Sequence, residues 1–221
     1  SFNAYNLLAV YAAAIELGED KITILTSLSS LSAVEGRFQH FKSTNGVIAI
    51  VDYAHTPEAL SEVLKSLKSH FNSDISIVFG CGGERDVKKR PIMAKIAKRY
   101  CKKIYITDDN PRRENPNKIR REITKNLIGS NYFNIANRSS AIRKAIASAE
   151  PNENLLIAGK GHENYQDYGK KIISISDKKI IKSSKFKKNM NYKKLEHFFN
   201  SKILNMILKN SKFYRFNGIT I

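Results

Sequence analysis

The sequence predicts a doubly wound α/β domain on a mostly parallel sheet, preceded by a short helical segment. Three observations carry that expectation. Between about residues 47 and 158, short apolar runs alternate with stretches of helical length; proline stands in the first turn of three of those helices; and polar motifs follow four of the strands. Strands separated by single helices imply right-handed crossovers, which give a parallel sheet covered on both faces.

In chain order, residues 3–17 form a helix, because apolar residues recur at helical spacing with alanines between them and Gly18 follows as a C-cap. Residues 22–32 read as a second, shorter helix. A boundary falls near Gly36, dividing the chain into segments 1–35, 36–183 and 184–221. Residues 37–41 and the run VIAIV at 47–51, with Gly46 between them, read as two strands around a turn. Then follow a helix over 57–70, a strand over 75–79, a helix over 91–100 and a strand over 103–107. A helix over 116–128, a short strand over 132–135, a helix over 139–149 and a strand over 154–158 complete the alternation. Pro57, Pro91 and Pro116 sit in first turns, where a missing N–H costs nothing.

A chain of 221 residues with 42% hydrophobic content can bury a core of its own. No apolar run reaches the roughly 18 residues that cross a bilayer, and the opening lacks a basic leader, so a soluble, cytoplasmic protein is expected. Cys81 and Cys101 lie in unlike contexts and give neither a disulfide framework nor metal-ligand spacing. The net charge of +18 is uneven: after residue 176 twelve Lys and Arg face two acids, leaving +8 for the rest. Lysines outnumber arginines 27 to 11 and no nucleic-acid motif accompanies them, so nucleic acid is not the expected ligand.

In a doubly wound sheet ligands bind beyond the carboxyl ends of the strands, and DYAHTP, GCGGERD, TDDNPRREN and GKGHEN all fall there. Four motifs on one edge predict one site. GCGGERD reads as an anion-facing glycine turn with Arg85 at its exit, or simply as a tight strand-to-helix turn. DDNPRREN presents Arg112 beside Asp108 and Asp109, enough to grip a zwitterion, or it is a solvated connection. GKGHEN brings backbone close to a ligand at Gly159 and Gly161, with His162 more often a loop-fixing residue than a proton carrier. DYAHTP ends a strand at Asp52, a usual place to hold ribose hydroxyls, and Thr56 can cap the next helix.

FNAYN, VEGR, VDYAHTPEAL, FGCGGERDVKKRP, TDDNPR and AGKGHENYQ stand in the order and approximate spacing of the Mur ligases, and the chain resembles that family over residues 1–181. It is most similar to the branch that adds meso-diaminopimelate to a UDP-N-acetylmuramoyl dipeptide. The resemblance implies a Rossmann-like carboxyl-terminal domain, preceded by the helical end of a central ATPase domain. It also implies ATP-dependent amide formation through an acyl phosphate, with Mg2+. Asn3, Asn6, Arg37, Asp52 and His55 match positions facing ATP. Arg85, Asp109, Asn110, Pro111, Arg112, Gly159 and Glu163 match positions that hold meso-diaminopimelate. Gln39 stands where many relatives carry glutamate. The family's phosphate loop, magnesium-binding acids and modified lysine precede the position of Ser1. No catalytic residue and no metal ligand is therefore expected among these residues, and the chain alone should catalyse nothing.

Two other readings stay open: a Rossmann-like small-molecule binding module without chemistry, and a related ligase such as a folylpolyglutamate synthetase, which should lack the DNPR and GKGHE pair. The basic segment 184–221 reads either as an amphipathic helix or as the start of a fused ligase of the D-alanyl-D-alanine-adding kind.

Overall fold

The computed structural model describes residues 2–30, 36, 38–71, 73–184 and 187–188; Arg37 and most of segment 184–221 lie outside the described residues. The chain divides into two compact units, Ser1–Ala33 with Met190–Ile221, and Val34–Asn189. In the first unit, α1 (Phe2–Glu16) is closed by Gly18 in the left-handed conformation, and α2 (Lys21–Ser30) begins where Asp20 accepts the N–H of Thr23 at 2.8 Å.

The second unit opens with β1 (Gln39–Lys42) and β2 (Ile48–Asp52), paired antiparallel. The alternation expected from the sequence follows: α3 (Pro57–His70), β3 (Ile75–Phe79), α4 (Lys89–Tyr100), β4 (Lys103–Ile106), α5 (Pro116–Thr124), β5 (Tyr132–Asn134), α6 (Arg138–Ala147) and β6 (Asn154–Ala158). Beyond it come elements the sequence reading did not contain: β7 (Tyr165–Asp167), β8 (Ile172–Ser174), α7 (Asp177–Ser183) and β9 (Lys187–Lys188).

The main sheet runs β5-β4-β3-β6-β2-β1-β9. β2, β6, β3, β4 and β5 are parallel, while β1 pairs antiparallel with both of its neighbours. β6 is the last of the parallel strands to enter and lies between β2 and β3, so every residue of β3 and β6 is buried. Burial on both faces is why these strands read as unbroken apolar runs. One face carries Ala49 and Val51 with Val78, Tyr105, Leu155 and Ile157 against Ala141, Ile142 and Ala145 of α6 and Ile180 and Ile181 of α7. Alternate residues, among them Ile50, Ile77, Phe79, Ile106 and Leu156, are buried on the opposite side, where α3, α4 and α5 pack in series.

Thr56 caps α3, accepting the N–H of Ala59 at 3.3 Å, and Leu60, Leu64 and Leu67 form its fully buried stripe. Most expected boundaries move by one or two residues, and the end of α5 moves by four. β1 starts at Gln39, and α4 starts at Lys89, with Pro91 third in the helix. α5 stops at Thr124 because Asn126 and Leu127 turn back onto Ile123 and Thr124 in tighter i→i−3 bonds, which bury Leu127 ahead of Gly129 at φ 77°.

Candidate functional site at the carboxyl edge of the sheet

The four motifs follow β2, β3, β4 and β6, adjacent strands whose carboxyl ends share one edge. Glycine lets two of the loops meet. A Cβ at Gly80 would lie 2.3 Å from the Thr107 carbonyl oxygen, and one at Gly83 would lie 2.0 Å from that of Pro111. The N–H of Gly83 donates to the Asn110 carbonyl at 2.9 Å, so this glycine turn is built first for contact with the neighbouring loop. Arg90 of α4, with no solvent exposure, braces the turn by donating to Glu122 at 2.6 Å, to Glu114 at 3.0 Å and to the Gly82 carbonyl at 3.3 Å.

The loop after β4 is held from several sides. Asp108 accepts from Arg120 and, at 2.9 Å, from the hydroxyl of Tyr168. Gln166 donates to the carbonyls of Asp108 and Asp109, both at 2.9 Å. Asn110 is the hub: its Oδ1 accepts from Lys160 Nζ at 2.9 Å and from the N–H of Asp167 at 3.0 Å, and its Nδ2 donates to Glu163 Oε2 at 3.0 Å. Pro111 is buried. Arg112 takes a left-handed backbone, φ 51°, fixed by its N–H donating to Asp167 O at 2.9 Å. Its Nη1 donates to Gly83 O at 2.8 Å and weakly to Asn110 O at 3.4 Å; Nε and Nη2 have no hydrogen bond among the described residues.

After β6, Gly159 at φ 108° leaves room that a Cβ would take from Asp109, and its N–H donates to the Asp52 carbonyl at 3.1 Å. Gly161, at φ 53°, passes so close to Gly36 that a Cβ would stand 2.6 Å from the Gly36 oxygen. Between them Lys160 is fully buried, its ammonium 2.8 Å from Glu163 Oε2 and 3.7 Å from Asp109 Oδ1. Burial would raise the Glu163 carboxyl; the hydrogen bond and charge of Lys160, with Asn110 and His162, outweigh it and hold the group below the usual glutamate value. Tyr53 faces Glu163 and Asp109, and burial together with those two charges pushes its hydroxyl up.

The structure therefore brings Asp109, Asn110, Pro111, Arg112, Gly159 and Glu163 into one cluster. Arg85 stands at its rim: the position of a Gly82 Cβ is 3.8 Å from Arg85 Cγ and 3.0 Å from Arg112 Nη1, so the two arginines flank that glycine. Asp52 joins through Gly159, but its carboxylate already accepts the N–H groups of Phe38 and Ala54, each at 2.8 Å. His55 is exposed, its Nδ1 2.8 Å from Tyr53 O and its ring against that of Tyr53. Asn3 and Asn6 fall in α1, in the other unit, with side chains outside the described set; Arg37 is likewise not described.

Residues that sequence reasoning passed over are Lys160, Arg90 and the β7–β8 hairpin with Gln166, Asp167 and Tyr168. A lysine between two motif glycines was the available signal for the first. Among the described residues no three His, Cys, Asp or Glu side chains gather as metal ligands, and no helix is long and apolar enough to cross a membrane.

Residues 36–161 match the family model described as Mur ligase, glutamate ligase domain. A UDP-N-acetylmuramoyl-L-alanyl-D-glutamate–2,6-diaminopimelate ligase of Bacillus cereus is 42% identical over 183 residues, which is 83% of this chain and 37% of the relative. The ligase of the same description from Alkalilimnicola ehrlichii is 41% identical over 181 residues, 82% of this chain and 36% of the relative. A solved structure of a ligase so described superposes with a TM-score of 0.64 at 36% identity, covering 83% of this chain and 38% of that one. A UDP-N-acetylmuramate-alanine ligase from Thermotoga maritima shares the fold, with a TM-score of 0.55 at 23% identity over 72% of this chain and 34% of that one. The chain thus spans little more than a third of the length of the curated relatives it matches, 37% and 36% for these two.

Proposed function

Because the chain belongs to the Mur ligase family, matched through residues 36–161, we propose that residues 36–183 hold the incoming amino acid, meso-diaminopimelate. In the whole enzyme this amino acid is joined by ATP-dependent amide formation to UDP-N-acetylmuramoyl-L-alanyl-D-glutamate in peptidoglycan synthesis. One observation carries the reading: Asp109, Asn110, Arg112, Gly159 and Glu163, drawn from two loops 50 residues apart in sequence, converge around the Lys160–Asn110 contact.

Diaminopimelate differs from lysine by a carboxylate beside its distal ammonium group. Arg112 has its Nε and Nη2 edge open among the described residues, and a guanidinium edge grips a carboxylate through two parallel hydrogen bonds. Asp109 and Glu163 supply negative charge for the ammonium, and Arg85 at the rim is free to reach a second carboxylate. Lysine would leave the Nε and Nη2 edge of Arg112 unpaired in a half-buried place. A site built to pair a polar group rejects an analogue lacking it by roughly 10⁴-fold.

ATP would activate the D-glutamate side-chain carboxylate as an acyl phosphate; attack by the amino acid's amine then forms the amide and releases phosphate. Asn3, Asn6, Arg37, Asp52 and His55 are assigned to the nucleotide side in the same reading. Asp52 contributes at least by holding the Phe38–Ala54 corner. Magnesium would neutralise phosphate oxygens. Activity belongs in the cytoplasm, where UDP-linked precursors are made.

Calorimetric titration of the chain with meso-diaminopimelate and, separately, L-lysine tests the reading. Binding of diaminopimelate alone, lost in Arg112→Ala, is expected; equal binding of both amino acids would overturn the assignment of Arg112.

A further inference from the structure

We propose that Lys160 is a positioning residue of the amino-acid site: its buried ammonium aims Glu163 and Asn110 and leaves the Asp109–Glu163 pair one net negative charge for a single ligand ammonium. This rests on the diaminopimelate reading above. Lys160 has no solvent exposure, and burying an ammonium costs several kcal/mol unless acceptors surround it. Those acceptors are Glu163 Oε2 at 2.8 Å, Asn110 Oδ1 at 2.9 Å and Asp109 Oδ1 at 3.7 Å, with the Tyr165 ring centroid at 5.5 Å. They are the groups assigned to the ligand. The lysine thus sits behind the site, reaching the amino acid only through residues that touch it.

Two consequences follow from this placement. Asn110 cannot turn over: Lys160 and the Asp167 N–H claim its oxygen, so its Nδ2 must face Glu163. The charge also balances. Two carboxylates and one ammonium sum to −1, which the ligand's distal ammonium cancels, while its carboxylate goes to Arg112. Without Lys160 the Asp109–Glu163 pair would carry −2, and Glu163 would either protonate or swing toward solvent. Other groups around Glu163 are His162 beside it, Tyr53 from the β2 loop, Asp109 from the β4 loop, and, acting through space, Arg138 of α6. Lys160 contacts the carboxylate at 2.8 Å and is its main stabilising partner.

The test is a carbon-13 NMR titration of the Glu163 carboxyl in the 221-residue chain and in Lys160→Met, joined to calorimetric titration of both with meso-diaminopimelate. Expected are a Glu163 midpoint below the ordinary glutamate value in the parent, a rise above it in the variant, and an affinity loss on the order of 10- to 100-fold, as when an outer partner orienting a ligand-binding group is removed. An unmoved midpoint overturns the proposal, and so does an affinity within twofold of the parent. If the parent binds no diaminopimelate, the site reading fails; the Glu163 midpoint then still decides whether Lys160 sets that charge. Should Lys160→Met not fold, the double variant with Glu163→Gln is the second arm. Recovery of cooperative unfolding supports charge compensation by Lys160, and no recovery overturns it.

Discussion

Arg138 at the start of α6 and Asp177 at the start of α7 lie against each other almost without solvent exposure, Nε and Nη2 of the guanidinium 2.9 and 2.7 Å from the two carboxylate oxygens. Nη2 also donates to Ala158 O at 3.0 Å, so the pair ties two helices to the end of the central strand. Removing one partner strands a buried charge. Asp177→Ala should therefore cost about 3–5 kcal/mol in urea unfolding, whereas the double variant Arg138→Met, Asp177→Leu should recover most of that loss. A double variant as unstable as Asp177→Ala would show that the pair stabilises the fold beyond mutual neutralisation.

Gln166 tests the hairpin as a clamp on the DNPR loop. Its Nε2 serves two backbone carbonyls, Asp108 O and Asp109 O, from a side chain only 3% exposed. Gln166→Leu keeps the volume and abandons both acceptors, so a stability loss of about 1–3 kcal/mol is expected, along with weaker diaminopimelate binding. Thermal unfolding and calorimetry read the two effects separately; loss of stability with undiminished binding would confine the hairpin to a structural role.

Gly83→Ala asks whether two loops must touch. The new methyl would begin 2.0 Å from Pro111 O, a backbone atom that cannot step aside alone. A destabilisation of about 1–3 kcal/mol is expected, with the discrimination between diaminopimelate and lysine reduced as Arg112 shifts away. Unchanged discrimination would mean that Arg112 is placed by the hairpin without help from the glycine turn.

Acid should weaken the domain in a window set by His40. Burial lowers this imidazole from 6.5 to about 4. The unfolded chain therefore takes up a proton near pH 6.5 and the folded one only near pH 4. Stability from neutral His40 is complete above pH 6.5 and is lost as pH falls toward 4, by at most about 3 kcal/mol. Glu114 and Glu163, whose carboxyls are held below the usual value, add their own losses only at lower pH. Urea midpoints taken from pH 7 to 4.5 should fall in the parent and stay nearly level in His40→Gln; parallel slopes would exonerate His40.

Much of the framework was legible in the sequence for identifiable reasons. Residues 57–70, 75–79 and 154–158 match their elements end to end, because a proline start, a leucine stripe and fully apolar runs leave little choice. Glycine, proline and short polar residues marked the four site loops, and placing them on adjacent strand ends required only the alternation of elements. What stayed hidden depends on contacts across long stretches of chain. The strands of the β7–β8 hairpin are three residues each and largely exposed, too short for a period to show. Lys160 looked like any surface lysine until the two flanking glycines turned it inward, and Arg138 finds Asp177 only 39 residues later.

The late entry of β6 also governs how the domain comes off the ribosome. Until residues 154–158 emerge, the nascent chain can assemble only β1 with β2 and β3 with β4 and β5, two part-sheets whose inner edges are their most apolar strands. Such open edges invite pairing with other chains and delay closure until β6 arrives. A chain that ended between residues 135 and 153 would thus carry two part-sheets, each with its inner edge unsealed.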